Sequence, residues 1–435
     1  MEKDCNVNDP PFLLQSSSGP IWVQAAGRAL YQAGYGSIQF FMPLIFVKQV
    51  GFSATAVGIG IGSGSLAGVV GHLLGGYLAD SQTYGRKKAL LISAGLSILA
   101  VLILALTQNL PMLVLANLVM GLSAGCYWTA ADAAVVDVTT PEQRPKAFAL
   151  LVLADNLGLG LGILGGGQLL SLVAQAQALF LVDSLILLVF LILIQLAVVE
   201  TRQNAPAHLD MLQGFLVALN DRSLRLFIGV NILFTTYIAL ANLTLPLYFT
   251  TLTAANSEAA AAAGAPWLSI ANLFTWCYVS FGALFQLPLV QVLSSFMRVH
   301  VLMISMLLWG TGFTLVWVTG IGTSMQLICL IASLGVLAIA SAIYKPFAPV
   351  IVGELAPVSL RGTYLAISYQ CWSIGYFIGP IIGGWTMDQA PIIAHNSWLV
   401  TAISTISGLI ILYFLSQIKT LNPSAPISED VASVT

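Results

Sequence analysis

Charge is what this chain has least of. Its 435 residues include 15 Lys and Arg against 17 Asp and Glu, 7% of the total, where a water-soluble protein carries about a quarter. No water-facing surface can be assembled from so few ionic groups. Paired cysteine spacing is missing as well: Cys5, Cys126, Cys277, Cys329 and Cys371 contain no Cys-x-x-Cys, and four of them sit in apolar stretches. Such thiols read as small buried side chains, not as disulfides or metal ligands. The histidines, His72, His208, His300 and His395, are scattered and make neither a metal site nor a nucleophile dyad. There is no Gly-x-x-x-x-Gly-Lys-Ser/Thr run, which argues against ATP-driven pumping, and no convergent acid, base or metal set argues for an enzyme. The basic residues give no case for nucleic acid, and no cofactor is implied.

Apolar residues are what the chain has in excess, at 58%. They fall in runs at about 21–47, 53–79, 88–107, 110–138, 146–173 and 175–198, then 224–252, 265–292, 298–319, 323–352, 362–388 and 392–416. Each run is long enough to cross a ~30 Å hydrocarbon layer as a helix. In lipid only helices and closed barrels satisfy their own backbones, and short alternating strands are absent. The expectation is an all-α polytopic membrane protein with twelve spans. The first run is far too long for the core of a cleaved signal peptide.

Basic residues set the sidedness. Arg86, Lys87 and Lys88 lie between spans 2 and 3, Arg144 and Lys146 between 4 and 5, Arg298 between 8 and 9, Arg361 between 10 and 11, and Lys419 follows span 12. The opposite face has only Lys48. Both termini are therefore expected in the cytoplasm, in a plasma or inner membrane. The division reads as a cytoplasmic segment 1–20, a six-helix bundle 21–198, a linker 199–223, a second bundle 224–416 and a cytoplasmic tail 417–435.

The two halves share a motif. Gly158-x-x-x-Gly162-x-x-x-Gly166-Gly167 returns 217 residues later as Gly375-x-x-x-Gly379-x-x-x-Gly383-Gly384. Upstream, Pro141-Glu142-Gln143-Arg144 is echoed by Pro357-Val358-Ser359-Leu360-Arg361. Glycines at this spacing make a smooth stripe on which another helix packs backbone to backbone. Pro380 weakens the local ladder of span 11. A static packing seam and a sliding or bending seam are both compatible with the stripe.

A second motif ends span 2 and opens span 3: Gly76, Leu78, Ala79, Asp80, then Gly85, Arg86 and Lys87. These residues closely resemble the signature loop of the major facilitator superfamily of secondary transporters, Gly-x-Leu-Ala-Asp-Arg-x-Gly-Arg-Lys. Here Ser81-Gln82-Thr83-Tyr84 lengthens the loop by two residues and removes its first arginine. The glycine stripe resembles the family's helix 5 motif, Gly-x-x-x-Gly-Pro-x-x-Gly-Gly, found mainly in drug–proton antiporters. Ile163 replaces its proline in the first copy. Arg144 and Arg361 match basic residues the family carries after helices 4 and 10. The arginine those antiporters carry in helix 4, four residues before a glycine, is Asn117 here.

The resemblance implies two pseudo-symmetric six-helix bundles around a central cavity lined by spans 1, 4, 7 and 10 and completed by 2, 5, 8 and 11. Ionisable groups within spans are expensive and need partners or water. Arg28, Gln32, Tyr35 and Gln39 share one face of span 1. The depth of Arg28 allows pairing with Asp132 or Asp155, and Asp155 is the leading candidate for a titrating group. Asn156 adjoins it, and Asp137 reads as an interfacial anchor or gate partner. Asp183 reads as a hydrogen-bonded structural group. In the second half Asn231, Asn242, Trp276, Lys345, Tyr369 and Gln370 are substrate candidates, Lys345 equally as a group reaching the interface.

The reading is a transporter that moves a small organic solute by alternating access, with proton-coupled efflux as the expectation, a proton gradient as energy source and the monomer as the working unit. An uptake symporter or uniporter is the alternative, favoured by Asn117 and Ile163. A non-transporting membrane sensor or scaffold is the alternative of another class.

Overall fold

A computed structural model describes residues 19–140, 144–173, 176–201, 211–256, 266–321, 326–357 and 361–417. All regular structure among them is helical. The first half contains α1 (Gly19–Lys48), α2 (Ala54–Asp80), α3 (Gly85–Ala105), α4 (Leu110–Asp137), α5 (Arg144–Leu172) and α6 (Ala176–Ala197). A short helix α7 (Met211–Asn220) follows, inside the stretch that the sequence reads as linker. Span 7 is α8 (Arg222–Ala239), a π-helical turn Leu240–Thr244 and α9 (Leu245–Asn256). Span 8 is likewise segmented into α10 (Pro266–Phe274), a π-helical stretch Thr275–Ser280 and α11 (Phe281–Leu293). Then come α12 (Arg298–Val318), α13 (Gln326–Leu355), α14 (Arg361–Met387) and α15 (Pro391–Ser416).

Ten of the helices among the described residues are long and apolar enough to cross a membrane. The 30-residue α1 and the segmented span 8 complete the twelve read from sequence. The start of α4 is fixed by a local cap. Asn109 accepts a hydrogen bond from the Met112 N–H at 3.0 Å, with Pro111 in the first turn of α4, where a missing N–H costs nothing. The helices also turn their large apolar side chains outward. On α6, Leu181, Leu185, Leu188, Val189, Ile192 and Leu196 are exposed along one face. In water such a stripe would be a liability; against lipid tails it is the natural surface.

The chain forms two compact units. The first takes Met1–Phe41 and Ala67–Ala205, and the second takes Met42–Leu66 and Pro206–Thr435. The sequence division leaves 42–66 with the first bundle, whereas by contact the end of α1 and the start of α2 belong with the second unit. The reason is visible in the glycines: at Gly58 and Gly62 there is no side chain, and α14 approaches through Pro380, Phe377 and Ile381.

Small residues also set the packing inside the first unit. Gly71 and Gly75 of α2 lie on the backbone of α4 at Leu122 and Cys126, and Gly125 of α4 lies on α2 at Gly68 and His72. Between α3 and α4, the Ser97 and Ser123 hydroxyls are 2.5 Å apart, and Ser123 donates to the Ser93 carbonyl at 2.7 Å. Cys126, Cys277, Cys329 and Cys371 are unpaired thiols, two of them buried and two half-buried; Cys5 lies outside the described residues.

Candidate functional site

Three helices of the first unit bring one arginine and two carboxylates together. Arg28 of α1 is only 5% exposed. Its Nη1 donates to Asp155 Oδ2 of α5 at 3.0 Å, and its Nη2 donates to Asp132 Oδ1 of α4. The sequence leaves the partner open between the two aspartates; the arginine takes both. The carboxylates differ in access, with the Asp132 side chain 37% exposed and that of Asp155 15%.

Aromatic rings complete the cluster. The Trp128 ring, one helical turn before Asp132, lies 4.9 Å from the Arg28 guanidinium carbon and adds a cation–π contact. Tyr31 stacks on Tyr127 with ring centroids 3.7 Å apart and on Tyr35 at 5.3 Å. Gln39 donates to the Tyr35 hydroxyl at 2.9 Å, so the polar row of α1 is joined at both ends. Gln32 and Asn156 are half-buried and lie outside this bonded set.

A second charged cluster sits where α2 ends and α3 begins. Arg86 donates to Asp80 at 2.5 Å and, through Nε, to Asp137 of α4 at 3.0 Å. Glu200 accepts from the N–H groups of Arg86 at 2.9 Å and Lys87 at 3.1 Å, capping the positive end of α3. Gly85 has φ 75°, and a Cβ there would land on the Glu200 carboxylate. Glycine is therefore required twice over. Lys87 Nζ donates to the Gln195 carbonyl at 2.8 Å. The lengthened loop thus keeps a network with Asp80, Asp137 and Glu200 as its acids. Gly76 meets only the Thr129 methyl, at ordinary contact distance.

The second unit places its candidates around α8, α13 and α14. Asn231 donates to the Ser368 carbonyl at 3.3 Å and its hydroxyl at 3.1 Å, and it accepts from the Tyr344 hydroxyl. Asn242, within the π turn, donates to the Tyr376 hydroxyl at 3.1 Å. Lys345 and Tyr369 line one recess with Tyr344 and Trp372. Gln370 is half-buried, with its amide oxygen shielded from solvent. Trp276 is 62% exposed on the π-helical stretch of span 8 and joins none of these groups.

Both glycine stripes are packing seams. A Cβ on Gly158 or Gly162 would strike the backbone of Ala29 or Ala33 on α1; one on Gly166 would strike Phe41, Leu179 and Ser37. On α14, Gly375, Gly379 and Gly383 face Thr235, Ala239 and Thr244, and Gly384 faces the backbone of Ala54. Gly167 is buried, and Pro380 lies inside an unbroken helix. Arg144 and Arg361 open α5 and α14, and their side chains lie outside the described residues.

A model of the Major Facilitator Superfamily matches residues 25–276 and 267–433. The chain belongs to the major facilitator superfamily. Among curated proteins it is similar to a Na(+), Li(+), K(+)/H(+) antiporter of Planococcus maritimus, 24% identical over 82% of this chain and 87% of the relative. It is also similar to the multidrug resistance protein MdtH of Salmonella typhimurium, 25% identical over 83% of this chain and 86% of that one. Its fold is that of the nucleoside transporter NupG (TM-score 0.75, 15% identity, 92% and 99% coverage) and of a peptide transporter POT in complex with sulfate (TM-score 0.75, 14% identity, 92% and 94% coverage). The protein is a multi-pass membrane transporter of this superfamily.

For a superfamily member, three groups here escape a reading by motif. The local signal at Trp128 is its place four residues before Asp132, on the same face of α4. Glu200 reads as linker, and nothing local ties it to α3. Asp388, at the end of α14, accepts from the N–H groups of Ala54 and Thr55 at 2.7 Å each and from the Thr55 hydroxyl at 2.5 Å, capping α2. Asp183, read from sequence as a hydrogen-bonded structural group, is 2% exposed, and its Oδ2 lacks a hydrogen-bond partner.

Proposed function

We propose that this transporter is a proton-coupled exporter of a small organic solute, with Arg28, Asp132 and Asp155 as its coupling cluster. The observation that carries the reading is two carboxylates on one buried guanidinium, with the Asp132 side chain the more exposed of the two. A proton arriving at Asp132 leaves Arg28 still bound to Asp155. The cluster therefore changes charge by one without stranding a buried ion, the outcome that would be most expensive. The named activities of the curated relatives, multidrug resistance and cation–proton antiport, support the same reading.

In this scheme the two units expose the solute site alternately to each side. The Asp80–Arg86–Asp137–Glu200 network is a cytoplasmic latch, with Arg144 and Arg361 on the same side. Asn231, Asn242, Lys345, Tyr369 and Gln370 supply solute contacts, and the monomer is the working unit. The excess of basic residues in alternate loops supports a cell-membrane location with both termini in the cytoplasm.

The test is flux in proteoliposomes under an imposed pH gradient. Solute should accumulate against its own gradient when protons run the other way, and Asp132→Asn should abolish accumulation while leaving exchange down a solute gradient. Transport indifferent to the pH gradient sinks the proposal. Asn117 supports the second reading, uptake or uniport. It is buried and donates to the Leu113 carbonyl of its own helix, so α4 carries no cation at that position. In that case accumulation follows protons inward or does not occur.

A further inference from the structure

Where α7 meets α8, two arginines stand alone. Arg222 and Arg225 share one face of the first turn of α8, three residues apart, and both are exposed. Among the described residues, neither guanidinium has an ion-pair or hydrogen-bond partner. The other Lys and Arg side chains described at that end of the helices are all engaged. Arg86 holds Asp80 and Asp137, Lys87 and Lys88 reach the carbonyls of Gln195 and Thr83, and Arg298 reaches that of Ser294. The acid adjoining the two arginines is committed elsewhere. Asp221 accepts from the Ser223 N–H with one carboxylate oxygen and from the Tyr364 hydroxyl with the other, at 2.8 Å each.

The helix before them is apolar and too short to cross a bilayer. The ten residues of α7 rise about 15 Å against a ~30 Å hydrocarbon layer. It rests on α14 and α8, with Ala218 fully buried. Its other sides carry Leu216, Val217 and Leu219, which are 61%, 58% and 44% exposed. In open water such a patch is a liability, and so short a helix gains little from its own hydrogen bonds. The boundary between headgroups and acyl chains suits both parts, with apolar side chains among the tails and arginines among the phosphates.

We infer that α7 lies in the membrane surface and that Arg222 and Arg225 bind the headgroup phosphate of an anionic phospholipid. A guanidinium takes a phosphate through paired hydrogen bonds. Cations in the first turn of a helix also add to the positive end of its dipole, so an anion is favoured twice. Two unpaired positive charges select a leaflet of net negative charge over a zwitterionic one. Asp221 and Tyr364 tie this site to the start of α14, so the lipid steadies the junction from which span 7 rises. The inference is independent of the solute and of the coupling ion.

The test is amide hydrogen exchange of the full-length protein in phosphatidylcholine nanodiscs, with phosphatidylglycerol and without it. Exchange in α7 should be at least tenfold slower in the anionic discs, and high salt should remove most of the difference. Arg222→Gln with Arg225→Gln should abolish the response while leaving exchange at the start of α3 unchanged. A second arm needs no variant. Phosphatidylglycerol with a photoreactive headgroup should crosslink to residues 216–225, and unlabelled phosphatidylglycerol should suppress this, whereas phosphatidylcholine and inorganic phosphate should not. Equal exchange of α7 in the two discs, a double variant that still responds, or crosslinks that avoid this segment overturns the inference. Suppression by inorganic phosphate as strong as by the lipid also overturns it, since the site would then take a free anion. Loss of pH-driven flux with this lipid response intact counts against the coupling proposal alone.

Discussion

The two glycine stripes have the same spacing, yet they rest on different partners. In the first unit, Gly158, Gly162 and Gly166 of α5 meet α1 at Ala29, Ala33 and Ser37, four residues apart each time. In the second, Gly375, Gly379 and Gly383 of α14 meet Thr235, Ala239 and Thr244, a step of four and then of five. The extra residue falls where Leu240–Thr244 winds as a π-helix, which takes up one residue without ending the helix. One seam is thus regular in step, with backbone laid on backbone at Gly158 and Gly162 and side chains only at Gly166. The other is a widened turn with side chains in the gap, and Asn242 inside that turn bonds to Tyr376 of the facing helix. The repeat preserves the smooth helix and lets its partner diverge.

The sharpest difference between the units is charge, and removing it should have the largest effect. Arg28→Leu leaves Asp132 and Asp155 without their cation, and deleting one partner of a buried ion pair costs about 3–5 kcal/mol. At the matching position, one residue before Thr235 as Arg28 is before Ala29, Phe234→Leu exchanges one apolar group for another and should cost less than about 1.5 kcal/mol. Adding Asp132→Asn and Asp155→Asn to Arg28→Leu should recover most of the loss. Denaturant titration in micelles reads all three. A charged cluster no more sensitive than its apolar counterpart would break the contrast.

The next effect separates the seams themselves. Gly162→Ala and Gly379→Ala each insert a methyl into a filled gap, at about 1–3 kcal/mol. At Gly162 the obstacle is the Ala33 backbone; at Gly379 the first obstacle is the Ala239 methyl. Moving the methyl across the seam should therefore rescue only one unit. Gly379→Ala with Ala239→Gly recovers stability, whereas Gly162→Ala with Ala33→Gly does not. Gly165→Ala, with nothing within 4 Å, is the internal control and should stay within about 0.5 kcal/mol of wild type. Equal rescue in both units would show that the two seams are alike after all.

What the sequence made legible follows the same line between local and distant causes. Span limits were readable because lipid permits one solution for each apolar run, a helix closed on its own backbone. Arg28, Asp132 and Asp155 were readable because a charge inside such a run demands a partner, although sequence could not show that one arginine serves both acids. The π turn was only half readable: Leu240–Thr244 contains no glycine or proline, but Pro246, two residues on, cannot donate to the Asn242 carbonyl inside that turn. Lys345 could be named, but that Trp372 of α14 lines the same recess depends on the packing of α13 against α14, which no local pattern shows. The grouping of 42–66 with the second unit was hidden for the same reason, since it depends on Pro380 and Asp388.

The smallest expected effect concerns two acids that perform the same service in the two units. Glu200 caps α3 through the N–H groups of Arg86 and Lys87, and Asp388 caps α2 through those of Ala54 and Thr55. Each is remote in sequence from the helix it caps, so each also fastens one segment to another. Losing a cap costs about 1 kcal/mol, and Glu200→Ala and Asp388→Ala should both fall near that value. They should differ in where the chain loosens. Asp388→Ala should raise amide hydrogen exchange at the start of α2 and leave α3 protected; Glu200→Ala should do the reverse. Glu200→Ala also removes the group over Gly85, yet the φ of 75° there remains. A further Gly85→Ala should therefore still destabilise the Glu200→Ala protein, because the backbone angle, and not the carboxylate alone, demands glycine. If Gly85→Ala became silent in that background, the angle would be a consequence of the cap, and the first unit would owe its motif glycine to Glu200.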